Sequence, residues 1–340
     1  MSRDTRTPAS VVRLSGVQGL AVAVPQLLGF QPTDSLVVLC LRAPRGRIGP
    51  VARIDLFDPG NDGPVDQLVG CAVRYADAAA VLCYHDGPRP GCLDVLLDAL
   101  AAAEVPVTEV VAVREGRLYR AESPTAQDAD AGVPLPGPED RQAGRLAAAA
   151  ALAGRRALPD RQALRASVAG PSEALLMAAR AELDAIRAPD PSPACDLIPA
   201  PPMAARVDAA FATAMAEQAE CGPISAATAA ELIVLAGDVG CRDRLVARAV
   251  AGDDPSVVPM LIAVVSRCPD EAVPGIGAVL AVAAYRYGDG ALAHCAVDRV
   301  LSVEPAHRMA HLMLAVMAGG LPPSSLAEMT DILDAPRTRR

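Results

Sequence analysis

Lysine is absent from this 340-residue chain, so all 31 basic residues are arginine. A Schiff-base enzyme needs a lysine amine, and a P-loop nucleotidase needs a lysine on the terminal phosphates; neither can be built here. Arginine cannot replace lysine as nucleophile or base, because its guanidinium does not deprotonate in proteins. Aromatic residues are scarce, at 2% with no tryptophan, which leaves alanine, leucine and valine to fill cores at close helix approach. A basic excess is missing as well. The net charge of −9 argues against nucleic-acid binding, which relies on a basic patch and stacking aromatics. The exception is Arg42, Arg45, Arg47 and Arg53 around one hairpin, a pattern that also suits a solvated edge discouraging strand aggregation.

No run reaches the roughly 18 uninterrupted apolar residues of a spanning helix. The nearest, Ala272 to Tyr285, is shorter and holds Pro274, Gly275 and Gly277. Asp4, Arg13, Gln18, Pro25 and Gln26 interrupt the N-terminal stretch, which predicts no signal peptide. The nine cysteines form no CxxC. Small buried thiols of a reducing compartment fit better than a disulfide framework or zinc site, so a cytoplasmic protein without cofactor or metal is expected.

What is present is ample apolar material, 52% of residues. Residues 1–120 alternate helix-like and strand-like runs. Val17 to Leu28 has helical spacing and ends at Gly29. Ser35 to Leu41 is continuously apolar and predicts a central strand buried on both faces. Val51 to Phe57 sets Arg53 and Asp55 against Ile54 and Leu56, as in a strand with one wet face. Helices over 66–75 and 92–103 alternate with strands over 79–84 and 107–113, and Arg114 to Arg117 turns into a last short strand near Tyr119. This order predicts a βαβ crossover joining antiparallel hairpins in a mixed sheet with flanking helices. A proline-rich linker is expected over 121–140, a helical segment over 141–187 and a proline-rich connector over 188–203. An all-α region of helical hairpins is expected over 204–335. A 50-residue echo pairs Gly240 with Gly290 and Asp254-Pro255 with Glu304-Pro305. The stretch from Leu280 to Pro305 is similar to a tetratricopeptide hairpin, although Ala281 and Ala284 replace the preferred glycine and tyrosine.

GVQGLAVAVPQLLGFQPTDSLVVLCL, RIGPVARIDL, VLCYHDGP, VAVREGRLYR and GDGALAHCAVDRVLSVEPAHRMAHLMLAVMAGGLPP together resemble an actinobacterial family, the domain of unknown function 4192. The likeness touches both halves of the chain. Members commonly carry cysteines after the VAVREGRLYR hairpin, whereas Ala121 to Gly137 holds none here. The resemblance implies the fold and no activity.

Three constellations could carry chemistry. His85 and Asp86 follow the third strand, where loops of an open α/β sheet gather ligands, so His85 could act as base and Asp86 as its orienting partner. The plainer reading of Asp86-Gly87-Pro88 is a turn closing the strand. Asp34 and Asp58 fall near each other if the first hairpin closes around Gly46. They could share a proton or a divalent ion, with Arg53 and Asp55 holding a ligand; both aspartates also suit Asx turns. Ser35 lacks the flanking glycines of a nucleophile elbow. His307 and His311 share the i, i+4 spacing of a metal pair but have no third ligand in sequence. His294 reads as a core histidine, and Gly275-x-Gly277 lacks the rest of a dinucleotide fingerprint. The expectation is a non-catalytic protein-interaction or regulatory module whose partner is another protein. The alternative is a small-molecule-binding protein or hydrolase at the carboxyl edge of the sheet.

Overall fold

The computed structural model describes residues 12–44, 46–60, 63–120, 132–137, 139–152, 156–187, 202–220, 222–323 and 325–326. Arg45, Cys195, Cys221, most of the linker and connector, and residues 327–335 lie outside the described residues. The chain divides into two compact units, Met1–Arg161 and Gln162–Arg340. The division falls inside the stretch 141–187 expected as a single helical segment.

The first unit runs α1 (Gly16–Leu28), β1 (Ser35–Arg42), β2 (Arg47–Asp55), α2 (Gly63–Tyr75), β3 (Ala78–Tyr84), α3 (Gly91–Ala102), β4 (Val107–Arg114), β5 (Arg117–Arg120), β6 (Val133–Pro134) and α4 (Arg141–Leu152). The strands form one mixed sheet in the order β2-β1-β3-β4-β5-β6. Only β3 and β4 are parallel, as a crossover through α3 requires. β1 lies second in the sheet with its first six residues buried, which explains its unbroken apolar run. One face buries Leu36, Val38, Val81 and Cys83 against Leu68 of α2 and Leu93, Leu96 and Leu100 of α3. Strand residues of the other parity, Val37, Leu39, Leu82 and Val111, are equally buried. On that side α1 packs against β2, β4 and α4. Gly29, at φ 78°, closes α1 in the left-handed conformation that glycine adopts without strain.

Two strands depart from the sequence reading. β2 opens at Arg47 rather than Val51. The ladder shifts between Leu39 and Leu41, so Gly49 and Pro50 together oppose Cys40 in a bulge. An edge strand accommodates that proline because its N–H side needs no partner. Within the expected linker, Val133 and Pro134 pair with Leu118 and Arg117. Leu135 N donates to Gly116 O at 2.8 Å, and Arg117 Nη2 donates to Gly132 O at 2.7 Å. Further along, Leu158 bonds through its backbone to Gly29 and Gln31 at 2.8 and 2.9 Å, tying residues after α4 to the end of α1.

Among its described residues the second unit holds helices and no strand: α5 (Arg161–Ser167), α6 (Glu173–Arg187), α7 (Met203–Ala219), α8 (Ala226–Ala236), α9 (Val239–Val250), α10 (Val257–Val265), α11 (Val273–Arg286), α12 (Gly290–Val303) and α13 (Arg308–Ala318). α11 is apolar on every side and buried from Ile276 to Ala284, packed on α8, α9, α10, α12 and α13. Pro274 sits in its first turn, where the missing N–H costs nothing. Gly275 lies against the Ala236 carbonyl, and a methyl group at Gly277 would stand 2.7 Å from Val300 Cγ2. Asp238 and Asp289 cap α9 and α12 by accepting from Cys241 N and Leu292 N at 2.9 and 3.0 Å, a shared device at the two ends of the sequence echo. Among the described residues, no helix is long and apolar enough to cross a membrane.

Candidate functional site

Because β1 runs antiparallel to β2 and β3, the carboxyl ends of β2, β3 and β4 lie beside the amino end of β1. Ser35 pairs with Asp55 on one side and Tyr84 on the other, and Tyr84 pairs with Val113. Asp34, Arg53, Asp55, His85 and Asp86 therefore reach one edge of the sheet. Pairing across a ladder keeps partners on one face while sequence neighbours alternate. Arg53, opposite Val37, lies on the face of α1; the parity of Cys83 assigns His85 to the face of α2 and α3.

Arg53 is held within the edge. Its Nε donates to Ser35 Oγ at 2.9 Å and its Nη2 to Thr33 O at 3.4 Å. The same Nη2 pairs with Asp55 Oδ1 at 2.6 Å, and the guanidinium carbon stands 5.7 Å from the Phe30 ring centre. Burial lowers the Arg53 pKa, with Asp55 opposing the shift, but a guanidinium stays charged regardless. Asp55 is shared with Arg161 Nη1 at 3.1 Å. Ser35 Oγ donates to Thr33 O while accepting from Arg53, so no base faces it. The arrangement locks the edge in place, with Nε and Nη2 of Arg53 turned to internal partners.

Of the two aspartates read as a possible pair, Asp34 bonds through its main chain and Asp58 through its carboxylate. Asp34 takes φ 42°, and its carbonyl accepts from Leu56 N at 2.8 Å, continuing the β1–β2 pairing. Asp58 Oδ1 accepts from Gly60 N at 3.0 Å, the Asx turn anticipated from the sequence. Asp86 is exposed in the turn after β3.

His85 is different. Its N–H donates to Val113 O at 3.2 Å, extending the parallel ladder, and the residue is only 7% exposed. Burial lowers its pKa first, Arg114 adds to the fall, and Gly87 and Asp86 oppose it; the ring is neutral at pH 7. Among the described residues, its Nδ1 and the Oη of the preceding residue Tyr84 are buried with no hydrogen-bond partner. Burial also pushes the Tyr84 phenol up. Arg114, absent from the sequence reading, borders this region: Nη1 reaches Gly87 O at 3.5 Å and the guanidinium stacks 4.1 Å from the Tyr119 ring centre. Its signal was the REGRLYR hairpin, where Tyr119 sits diagonal to Arg114 across β4 and β5. Arg89 pairs with Asp94 at 2.5 Å at the start of α3.

His307 is the N-cap of α13, which begins at Arg308, and His311 N donates to His307 O at 3.1 Å across the first turn. His307 Nδ1 accepts from Ala310 N at 3.2 Å, and His311 Nε2 bonds Pro305 O at 2.7 Å. Both nitrogens named are thus turned to backbone groups. Among the described residues no group of three or more His, Cys, Asp or Glu side chains could hold a metal ion. His294 is half-buried rather than in the core, with Nδ1 3.2 Å from Gly290 O.

The mixed sheet with a single parallel crossover, followed by helices alone, defines a chain of the α/β class. It belongs to the family described as domain of unknown function (DUF4192), whose model matches residues 18–324. No curated protein and no solved structure gives a match.

Proposed function

We propose that the chain is a non-catalytic cytoplasmic module for protein interaction or regulation, its partner another protein. One observation carries this reading: α6 shows Leu175 and Met177 to solvent at 61% and 71% exposure, while Leu183 is its sole buried residue. Leu175 and Met177 are two residues apart and so stand on different sides of α6, and large apolar side chains left in solvent on both suit a helix that a partner covers. The hairpin of α11 and α12, joined at Tyr287–Asp289, would serve as the tetratricopeptide-like support. The ionisable groups agree, since Arg53 Nε, His307 Nδ1, His311 Nε2 and Asp58 Oδ1 are turned to backbone or internal partners. A photo-crosslinking amino acid at position 175 should give a discrete adduct with a second protein in native cytoplasm. Met177→Glu should abolish that adduct. Adducts confined to the chain itself would overturn the reading.

The sheet edge favours a second reading, a small-molecule-binding protein or hydrolase, through Tyr84 Oη and His85 Nδ1. Buried polar atoms are nearly always bonded, so two orphans at one end of the sheet, on its opposite faces, each leave room for a ligand or water. A panel of small carboxylates and phosphates that raises the melting temperature of the wild type, and not of His85→Ala, would support this version. No shift in either protein counts against it.

A further inference from the structure

β1 and α2 bring two thiols together. Cys40 Sγ lies 3.9 Å from Cys71 Sγ and equally far from the Cys71 carbonyl oxygen. The register is pinned close by. Arg42 Nε donates to Tyr75 O at 3.0 Å, closing the last turn of α2, and Asp77 accepts from Ala43 N at 2.8 Å. Asp77 N donates to Leu41 O at 2.9 Å. Opposite Cys40 stands the Gly49-Pro50 bulge, a feature that often accompanies reactive groups in sheets.

We propose that Cys71 and Cys40 are a peroxide-reactive dithiol, Cys71 attacking and Cys40 resolving. The assignment is independent of the interaction surface on α6. Exposure separates the roles: Cys40 is fully buried, whereas Cys71 is half-buried beside exposed Gly70, Val73 and Arg74, within reach of a molecule as small as hydrogen peroxide. Electrostatics agrees. The hydrogen bond from Cys40 lowers the Cys71 pKa, burial opposes it and Arg74 adds to the lowering; the same hydrogen bond and burial hold Cys40 protonated. Burial first, with Cys92 adding and Arg89 opposing, pushes Cys83 up to about 12, which makes that thiol a poor nucleophile.

In the first step the Cys71 thiolate attacks one peroxide oxygen. An S–O bond forms, the O–O bond breaks, and the departing hydroxide takes a proton to leave water and a Cys71 sulfenic acid. The Cys40 sulfur then attacks Cys71 sulfur. The S–S bond forms, the S–O bond breaks, and the thiol proton leaves with the hydroxide as a second water. Overall two thiols lose two electrons and one peroxide becomes two waters. The sulfurs must close to about 2.05 Å, a movement that rotation of the half-buried Cys71 side chain supplies while the Arg42 and Asp77 anchors hold.

The full chain, reduced and then exposed briefly to hydrogen peroxide, is alkylated under denaturing conditions and digested with trypsin. Cleavage after arginine places Cys40 alone in peptide 14–42 and Cys71 alone in peptide 54–74. Expected is a 14–42/54–74 cross-link two hydrogens lighter than the summed peptides, with seven of nine thiols (9 − 2) still titratable and full return on reduction. Cys40→Ser should stop at a Cys71 sulfenic acid that dimedone captures. Cys71→Ser should leave Cys40 alkylatable after the same exposure. Both wild-type peptides recovered unlinked and alkylated, a Cys71 sulfinic acid without cross-link, or Cys40 joined to another cysteine would each overturn the proposal, and these wild-type readouts do not depend on the variants folding.

Discussion

Oδ1 of Asp270 accepts from both Nε and Nη2 of Arg299, at 3.3 and 2.9 Å. The other bonds of that guanidinium close backbone carbonyls: Val168 at 2.7 Å, Val265 at 2.9 Å and Cys268 at 2.5 Å. These carbonyls lie at or just beyond the C-terminal ends of α5 and α10, where helices leave acceptors unpaired. Arg299 is 11% exposed and Asp270 71%, so the carbonyl bonds outweigh the ion pair.

Arg299→Ala should therefore lower the unfolding free energy by roughly 3 kcal/mol in urea titration, since it strands buried acceptors. Arg299→Lys should recover little, because an ammonium cannot span a fork of three carbonyls. Asp270→Ala should cost under about 1 kcal/mol, as expected of a largely solvated partner. An Asp270 effect as large as that of Arg299 contradicts the ranking.

Acid should weaken the fold through His307. Burial holds its pKa below the ordinary 6.5, and the neutral Nδ1 is the acceptor that caps α13. The unfolded chain then binds the proton more readily than the folded one. This share of stability is complete above about pH 6.5 and is lost as pH falls towards the folded-state value. His85, also lowered, acts in the same direction. Melting temperatures between pH 7 and 5 should fall less steeply in His307→Asn, which keeps a capping oxygen without titrating. An identical slope would remove His307 from the account.

The two glycines of α11 and Gly290, which opens α12, should differ in tolerance. Gly275→Ala drives a methyl group into the Ala236 carbonyl, a rigid backbone atom, and should cost roughly 2–3 kcal/mol. Gly277→Ala meets the Val300 methyl at 2.7 Å, so the loss should be partly relieved by adding Val300→Ala. Gly290→Ala, with nothing within 4 Å, should be neutral or stabilising through reduced unfolded-state entropy. Urea midpoints of the four proteins check the order.

Much of this was legible in the chain because side-chain pattern and environment coincide. Six apolar residues in a row from Leu36 to Leu41, after Ser35, predict a strand covered on both faces, and β1 is one. The strand order also brings Asp34, His85 and Arg53 to a common edge. What pattern could not show was how backbone groups complete their bonds. β6 is two residues long beside prolines, and its pairing is decided by Gly116 and Gly132 rather than by periodicity. Leu158 joins the first unit through main-chain bonds to Gly29 and Gln31, which leave no mark in sequence. At the edge itself, Arg53 is as compatible with holding a ligand as with holding Ser35 and Asp55; only the register, which puts Ser35 opposite Asp55, decides. His307 likewise reads as helical until the turn at Pro305 shifts the start of α13 by one residue.

The placement of α11 governs how the second unit comes apart. A row of repeats that touch only their neighbours can be shortened from its end, each loss leaving the remainder intact. Here the helix against which α8, α9, α10, α12 and α13 all rest lies late in the chain. A nascent polypeptide lacks the surface on which α8, α9 and α10 all rest until residues 273–286 have been made, and a stop codon ahead of them removes the keystone rather than a tail.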